Sequence, residues 1–236
     1  MTYQTNFSTE IHPECKSILT GRNALDGLDF LRSSQDKILY SILDLNAYYH
    51  VEKQNGESYS EWNSKLFEQG SISEVPKTMV DYLSTEVPAH FILNKISYNF
   101  FNSSHSFFDN YGHFLHATLF PNTSIPERLY FHNVTDMISK KSLYHDISKA
   151  IAKYTSKSVY SHIKDIDNTN KHRMLISPES SLWLNDGQQE ITIPSFTKGN
   201  KAPHVEKTME DILEDCHQLC VDFYNEVTNR VFDTIK

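Results

Sequence analysis

Glycine and proline are scarce: 7 Gly and 8 Pro in 236 residues, about 6% of the chain, is roughly half the usual share for the pair. A large β-sandwich or barrel takes a tight turn every 8–12 residues or so, usually on those two residues. An all-β fold is therefore disfavoured, and long helices are expected. Cysteine is also rare. Cys15, Cys216 and Cys220 are too few for a disulfide framework and fit a reducing compartment. No run reaches the roughly 18 uninterrupted apolar residues that cross a bilayer. Met1 to Glu10 is polar and lacks the apolar stretch of a signal peptide, so a cytoplasmic chain without membrane contact is expected. Neither G-x-x-x-x-G-K-[ST] nor G-x-G-x-x-G occurs, which leaves a nucleotide-cofactor fold without support.

What is present is a globular composition with an uneven charge. The hydrophobic fraction is 39% and the aromatic fraction 12%, enough for a sizeable core, and the net charge is −8. An acidic surface repels nucleic acid, so any contact with it must be local. Lys140 to Arg173 holds eight bases against three acids, whereas Glu206 to Lys236 holds eight acids against three bases. Two readings fit this asymmetry: helices of opposite sign packed side by side, or a basic strip that receives an anion.

Apolar spacing predicts helices over Asp36–His50, Glu61–Glu68, Pro76 to just before Pro88, Pro88–Phe120, Asp136–Asp165 and Val205–Thr234. Gly70 is the expected stop of the second. Ser181–Leu184 and Glu190–Ile193, around Asn185-Asp186-Gly187, read as a β-hairpin. The expected fold class is all-α: one helical bundle over 1–236 with a small β-hairpin insertion near residues 181–194. Residues 1–75 form extra N-terminal helices and 76–236 the core.

Three constellations could carry chemistry. Cys216-His217-x-x-Cys220 looks like a metal signal, but both cysteines fall on the apolar stripe of the last helix and no second pair supplies four ligands; core packing is the expectation. On the long helix, Asn94, Tyr98, His105, Asp109, Gly112 and His116 share one strip at about 100° per residue. That strip is either a solvated face or a wall able to orient a histidine or hold a divalent metal. Third, Asp165-Ile166-Asp167-Asn168-Thr169-Asn170-Lys171-His172-Arg173 follows a helix and sets three basic side chains beside amides. Such a group can grip a phosphodiester, with His moving protons. It can equally be a C-cap with cations at the helix dipole.

The segment Asp167-Asn168-Thr169-Asn170-Lys171-His172 resembles the signature of the HEPN superfamily (higher eukaryotes and prokaryotes nucleotide-binding), an Arg and a polar residue followed after a short spacer by His. The Asn and the His are kept, and Asp167 stands where the Arg belongs. The helical layout of about residues 76–236 is similar as well. The resemblance implies a metal-independent endoribonuclease of toxin or phage-defence type, without cofactor or resident metal. It further implies RNA as substrate, a homodimer whose two sites face each other, and an antitoxin or other protein as possible partner. By the same resemblance His172 is the catalytic acid/base, Asn168 orients, and Lys171 and Arg173 hold phosphate. Asn94, His105, Asp109 and His116 would form an opposing wall if the long helix packs there. Asp167 would repel phosphate by about 1–4 kcal/mol. The alternative implied is a non-catalytic HEPN-like module that binds RNA, a nucleotide or a protein after losing the Arg.

Overall fold

The computed structural model describes residues 3, 5, 7–11, 13–21, 24–69, 79–124, 126, 128–172, 175–182, 189–199 and 201–236. Helix accounts for 72% of the structure, so the chain is all-α with small β additions. The helices are α1 (Pro13–Gly21), α2 (Leu25–Gln69), α3 (Ala89–Leu119), α4 (Phe131–Ser139), α5 (His145–Thr155), α6 (Ser158–His172) and α7 (Met209–Ile235), with a 3-10 turn at Ser142–Tyr144. The strands are β1 (Met79–Tyr82), β2 (Thr85–Pro88), β3 (Glu179–Leu182), β4 (Gln189–Ile193) and β5 (Lys207–Thr208).

Two compact units divide the chain. The first comprises Met1–Gln4, Ile42–Phe100 and Asp165–Glu214, the second Thr5–Ser41, Phe101–Lys164 and Asp215–Lys236. The expected boundary between residues 75 and 76 lies outside the described residues, as do Gly70, Pro76, Arg173 and the Asn185-Asp186-Gly187 turn.

In the second unit the core is aromatic. Phe223, fully buried, has the rings of Phe107, Phe108, Tyr111, Phe131 and Tyr154 within 5.1–5.8 Å. These tilted and edge-on rings each add to area burial. Gly112 lets α4 come close: a Cβ there would stand 3.1 Å from Phe131 Cα. The oppositely charged spans meet where Lys153 pairs with Glu226 at 2.5 Å and Tyr154 donates to the same carboxylate at 2.6 Å. Cys216 and Cys220 are buried on α7, where they pack as small apolar side chains.

In the first unit Val51 and Asn55 continue the buried stripe of α2 beyond His50, and α2 runs on to Gln69. The exposed pair Lys53–Glu57, one turn apart, adds a little. The helix expected up to Pro88 is instead the antiparallel hairpin β1–β2, with Tyr82 opposite Thr85. Met79, Val80 and Leu83 fit a helical stripe by spacing, yet only Val80 is buried and Leu83 is exposed. Leu83 and Ser84 turn the chain with φ of 54° and 61°, the left-handed pair of a two-residue hairpin loop. Gln54 holds the hairpin, accepting from the Asp81 N–H at 2.8 Å and donating to its carbonyl at 3.0 Å.

The helix expected over Asp136–Asp165 is broken into α4, α5 and α6. Lys141 is extended at φ −111°, ψ 114°, and the Lys157 N–H turns back to the Tyr154 carbonyl. The predicted hairpin is present as β3–β4, Leu182 opposite Gln189, and β5 adds a third strand to β4.

Candidate functional site: the end of α6

The residues expected to follow a helix are its last turns. Asp165, Asn168 and His172 stand at i, i+3 and i+7 on α6, one face in helical geometry, about 10 Å from first to last at 1.5 Å per residue. Asp165 is 1% exposed. Its Oδ1 accepts from Lys198 Nζ at 3.0 Å, its Oδ2 from Lys201 Nζ at 3.1 Å, and His204 Nε2 lies 3.1 Å from Oδ2. Burial alone would push the carboxyl up; the hydrogen bonds from Lys198, His204 and Lys201 outweigh it and hold Asp165 at about 2. One negative charge thus serves two lysines and an imidazole, leaving a local excess of positive charge. Lys201 is 58% exposed, so part of that excess reaches solvent.

The loop that carries these cations is held by its own backbone and ring contacts. Phe196 and His204 exchange backbone hydrogen bonds, N–H to carbonyl, at 3.1 and 2.8 Å, and their rings stack at 4.6 Å. Gly199 takes φ +63° between the two lysines, a conformation that suits glycine. Lys198, Lys201 and His204 therefore face one carboxylate at three-residue intervals. Sequence reasoning missed Asp165 as the organiser, and missed this trio. The signals were the i, i+3, i+7 spacing on α6 and the K-x-x-K-x-x-H pattern.

Asp167, in the position of the signature Arg, is 2% exposed and its Oδ2 accepts from Lys171 Nζ at 2.9 Å. The expected repulsion of phosphate is offset there by Lys171, whose charge is spent in part on this pair. Lys171 and His172 are both exposed. Asn170 caps the chain beyond the helix: its Oδ1 accepts from the Ile176 N–H at 2.8 Å. The capping reading is thus realised through Asn170.

The strip on α3 is mixed: Tyr98 is exposed, Asn94, His105 and Asp109 are half-buried, and His116 is buried. Asn94 belongs to the first unit, like α6's last turns, whereas His105, Asp109 and His116 belong to the second. Among the described residues the Asn94 side-chain oxygen is buried without a partner. Gly112 lies under Phe131, which explains the missing side chain there. Burial, with Asp109 nearby, pushes Tyr160 up to about 12. His116 is 1% exposed and, among the described residues, neither ring nitrogen has a hydrogen-bond partner, a cost of about 1–3 kcal/mol for each orphaned group. Burial first, then His113, lowers its pKa. Among the described residues no three His, Cys, Asp or Glu side chains gather as a metal site.

His217, read with the cysteines as a metal signal, is fully buried between hydroxyls: Ser41 Oγ lies 2.9 Å from Nδ1 and Thr5 Oγ1 3.2 Å from Nε2. Burial takes it down to about 4. Among the described residues no helix is long and apolar enough to cross a membrane. Comparison with protein-family models, with curated proteins and with solved structures finds no match to this chain.

Proposed function

We propose that this chain is a HEPN-like module that binds RNA by its phosphates along the end of α6 and the loop over residues 196–204. The observation that carries this reading is the gathering of Lys198, Lys201 and His204 over the single buried carboxylate of Asp165. It lies on the helix face that also bears Asn168 and His172. Lysine ammoniums held in place by a carboxylate neutralise a phosphodiester with little further loss of side-chain freedom. Asn168 and exposed Lys171 add a polar and a charged contact, and Arg173 would add another charge. The cations of the 196–204 loop take the part that the resemblance gives to the absent Arg. The acidic remainder of the surface confines RNA to this patch. A homodimer that brings two such patches together, and an antitoxin-like protein that covers them, belong to the same proposal.

A second reading adds cleavage. It is favoured by the exposure of His172 at the end of α6, where an imidazole can reach a ribose 2′-hydroxyl and move its proton without a metal. One assay separates the two. Wild-type and His172→Ala protein are incubated with a mixed RNA pool in excess EDTA, and products are mapped for 2′,3′-cyclic phosphate ends. RNA retained but uncut by both proteins supports the binding module. Cutting by wild type alone establishes the nuclease. Neither retention nor cutting removes both.

A further inference from the structure

Lys198, Lys201 and His204 converge on a point instead of lining a track. Both ammoniums sit on Asp165 Oδ1, Lys198 at 3.0 Å and Lys201 at 3.2 Å, while Lys201 and His204 share Oδ2, each at 3.1 Å. The two ammoniums are therefore closer together than those first two distances combined, a span that one phosphate group covers. Successive phosphates of a strand are separated by a whole ribose, so the cluster seats a single phosphate. The loop holds the cations in this arrangement: Phe196 and His204 join its ends by paired backbones and stacked rings, and Gly199 turns it at φ +63° between the lysines.

The charge on that phosphate then decides the ligand. A phosphodiester carries one negative charge; a terminal phosphomonoester carries up to two near neutral pH, with one more terminal oxygen to accept hydrogen bonds. Each ammonium has three N–H donors, and Asp165 takes only part of that set. Asp165 is buried and Lys201 is exposed, so a ligand arriving from solvent reaches an ammonium before the carboxylate. Attraction to a compact cation pair scales with the charge placed on it, and the next charge of a diester strand sits a nucleotide away. A strand running on past the cluster gains less: Lys171 of α6 shares its charge with Asp167 at 2.9 Å, and exposed Glu206 stands two residues beyond His204. We infer that this site takes the terminal phosphomonoester of an RNA strand in preference to its internal phosphates, an inference that rests on the RNA-binding reading of the same residues.

The test uses the full chain and one internally labelled single-stranded RNA in three forms: hydroxyls at both ends, a 5′-monophosphate, or a 3′-monophosphate. Fluorescence anisotropy in excess EDTA reads the affinity of each. A phosphorylated strand is expected to bind roughly tenfold tighter than the hydroxyl-ended strand, and the arm that does so identifies the end. Lys201→Gln should remove most of that preference. Lys198 and His204 still hold Asp165 in this variant, so it folds, with helix content by circular dichroism as the check. Equal binding of the three strands, or a preference that Lys201→Gln leaves intact, overturns the inference while RNA binding itself stands. Adenosine 5′-monophosphate competing as strongly as the strand would assign the site to free nucleotides and overturn it as well. No binding by any strand removes the RNA reading and this inference with it.

Discussion

Replacing Asp165 with Asn removes one charge and leaves the shape. Lys198, Lys201 and His204 then face an amide that cannot neutralise them. Breaking a fully buried pair costs about 3–5 kcal/mol. Here Lys198 is 24% and Lys201 58% exposed, so both recover part of their hydration and the cost falls toward 2 kcal/mol. The acidity of Asp165 leads to the same figure. A shift from 3.8 to about 2, at 1.36 kcal/mol per pKa unit, is about 2 kcal/mol. Because the folded value lies below the unfolded one, this contribution is fully present above pH 4 and disappears as pH falls to 2. Urea unfolding followed by circular dichroism should place Asp165→Asn about 2 kcal/mol below wild type at pH 7. The two proteins should converge near pH 2. A difference under about 0.5 kcal/mol at pH 7, or one that persists undiminished at pH 2, would refute the organising role of this carboxylate.

Other residues carry equally direct expectations. His217 is held neutral, at about 4 against an ordinary 6.5. Its protonation is therefore coupled to unfolding: the wild type should lose about 3 kcal/mol between pH 6.5 and 4, and His217→Gln should show a correspondingly shallower decline in urea melts. Gly112→Ala places a methyl 3.1 Å from Phe131 Cα, and calorimetry should find it destabilised by about 1–3 kcal/mol; no loss would show that α4 moves freely. Replacing Leu83-Ser84 by Asn-Gly suits the positive φ at both positions and should stabilise the chain by about 1 kcal/mol. A loss of stability there would contradict the assigned turn.

How much of this was legible in the sequence depends on whether one period or a distant partner decided the outcome. The helices α3 and α7 were readable because their apolar stripes run for many turns: Leu93, Ile96, Phe100, Phe107, Tyr111 and Phe114 are all buried, as are Met209 to Val231 at the expected spacing. The β1–β2 hairpin was not, since its turn uses Leu83 and Ser84 in place of the Gly or Asn that signals one. The breaks between α4, α5 and α6 also lack Gly or Pro; Lys141 and Ser156 stand there. His116 was misplaced for a different reason. A strip of Asn, His and Asp looks solvent-facing, and Tyr98 on it is exposed, but His116 at its end is enclosed. At the candidate site, Asn168, Lys171 and His172 were singled out from local chemistry. Asp165 was passed over because its partners are 33, 36 and 39 residues away, where no local pattern connects them.

The central claim is that the loop cations over Asp165 hold RNA phosphates, and salt dependence tests it most directly. A fluorescent single-stranded RNA would be titrated with wild-type protein and with Lys198→Met/Lys201→Met across a range of KCl concentrations. Each phosphate contact to a single strand contributes about 0.7 to the slope of log affinity against log salt. The account predicts measurable binding by wild type and a slope shallower by about 1.4 in the double variant. No binding even at low salt, or identical slopes in the two proteins, would contradict it.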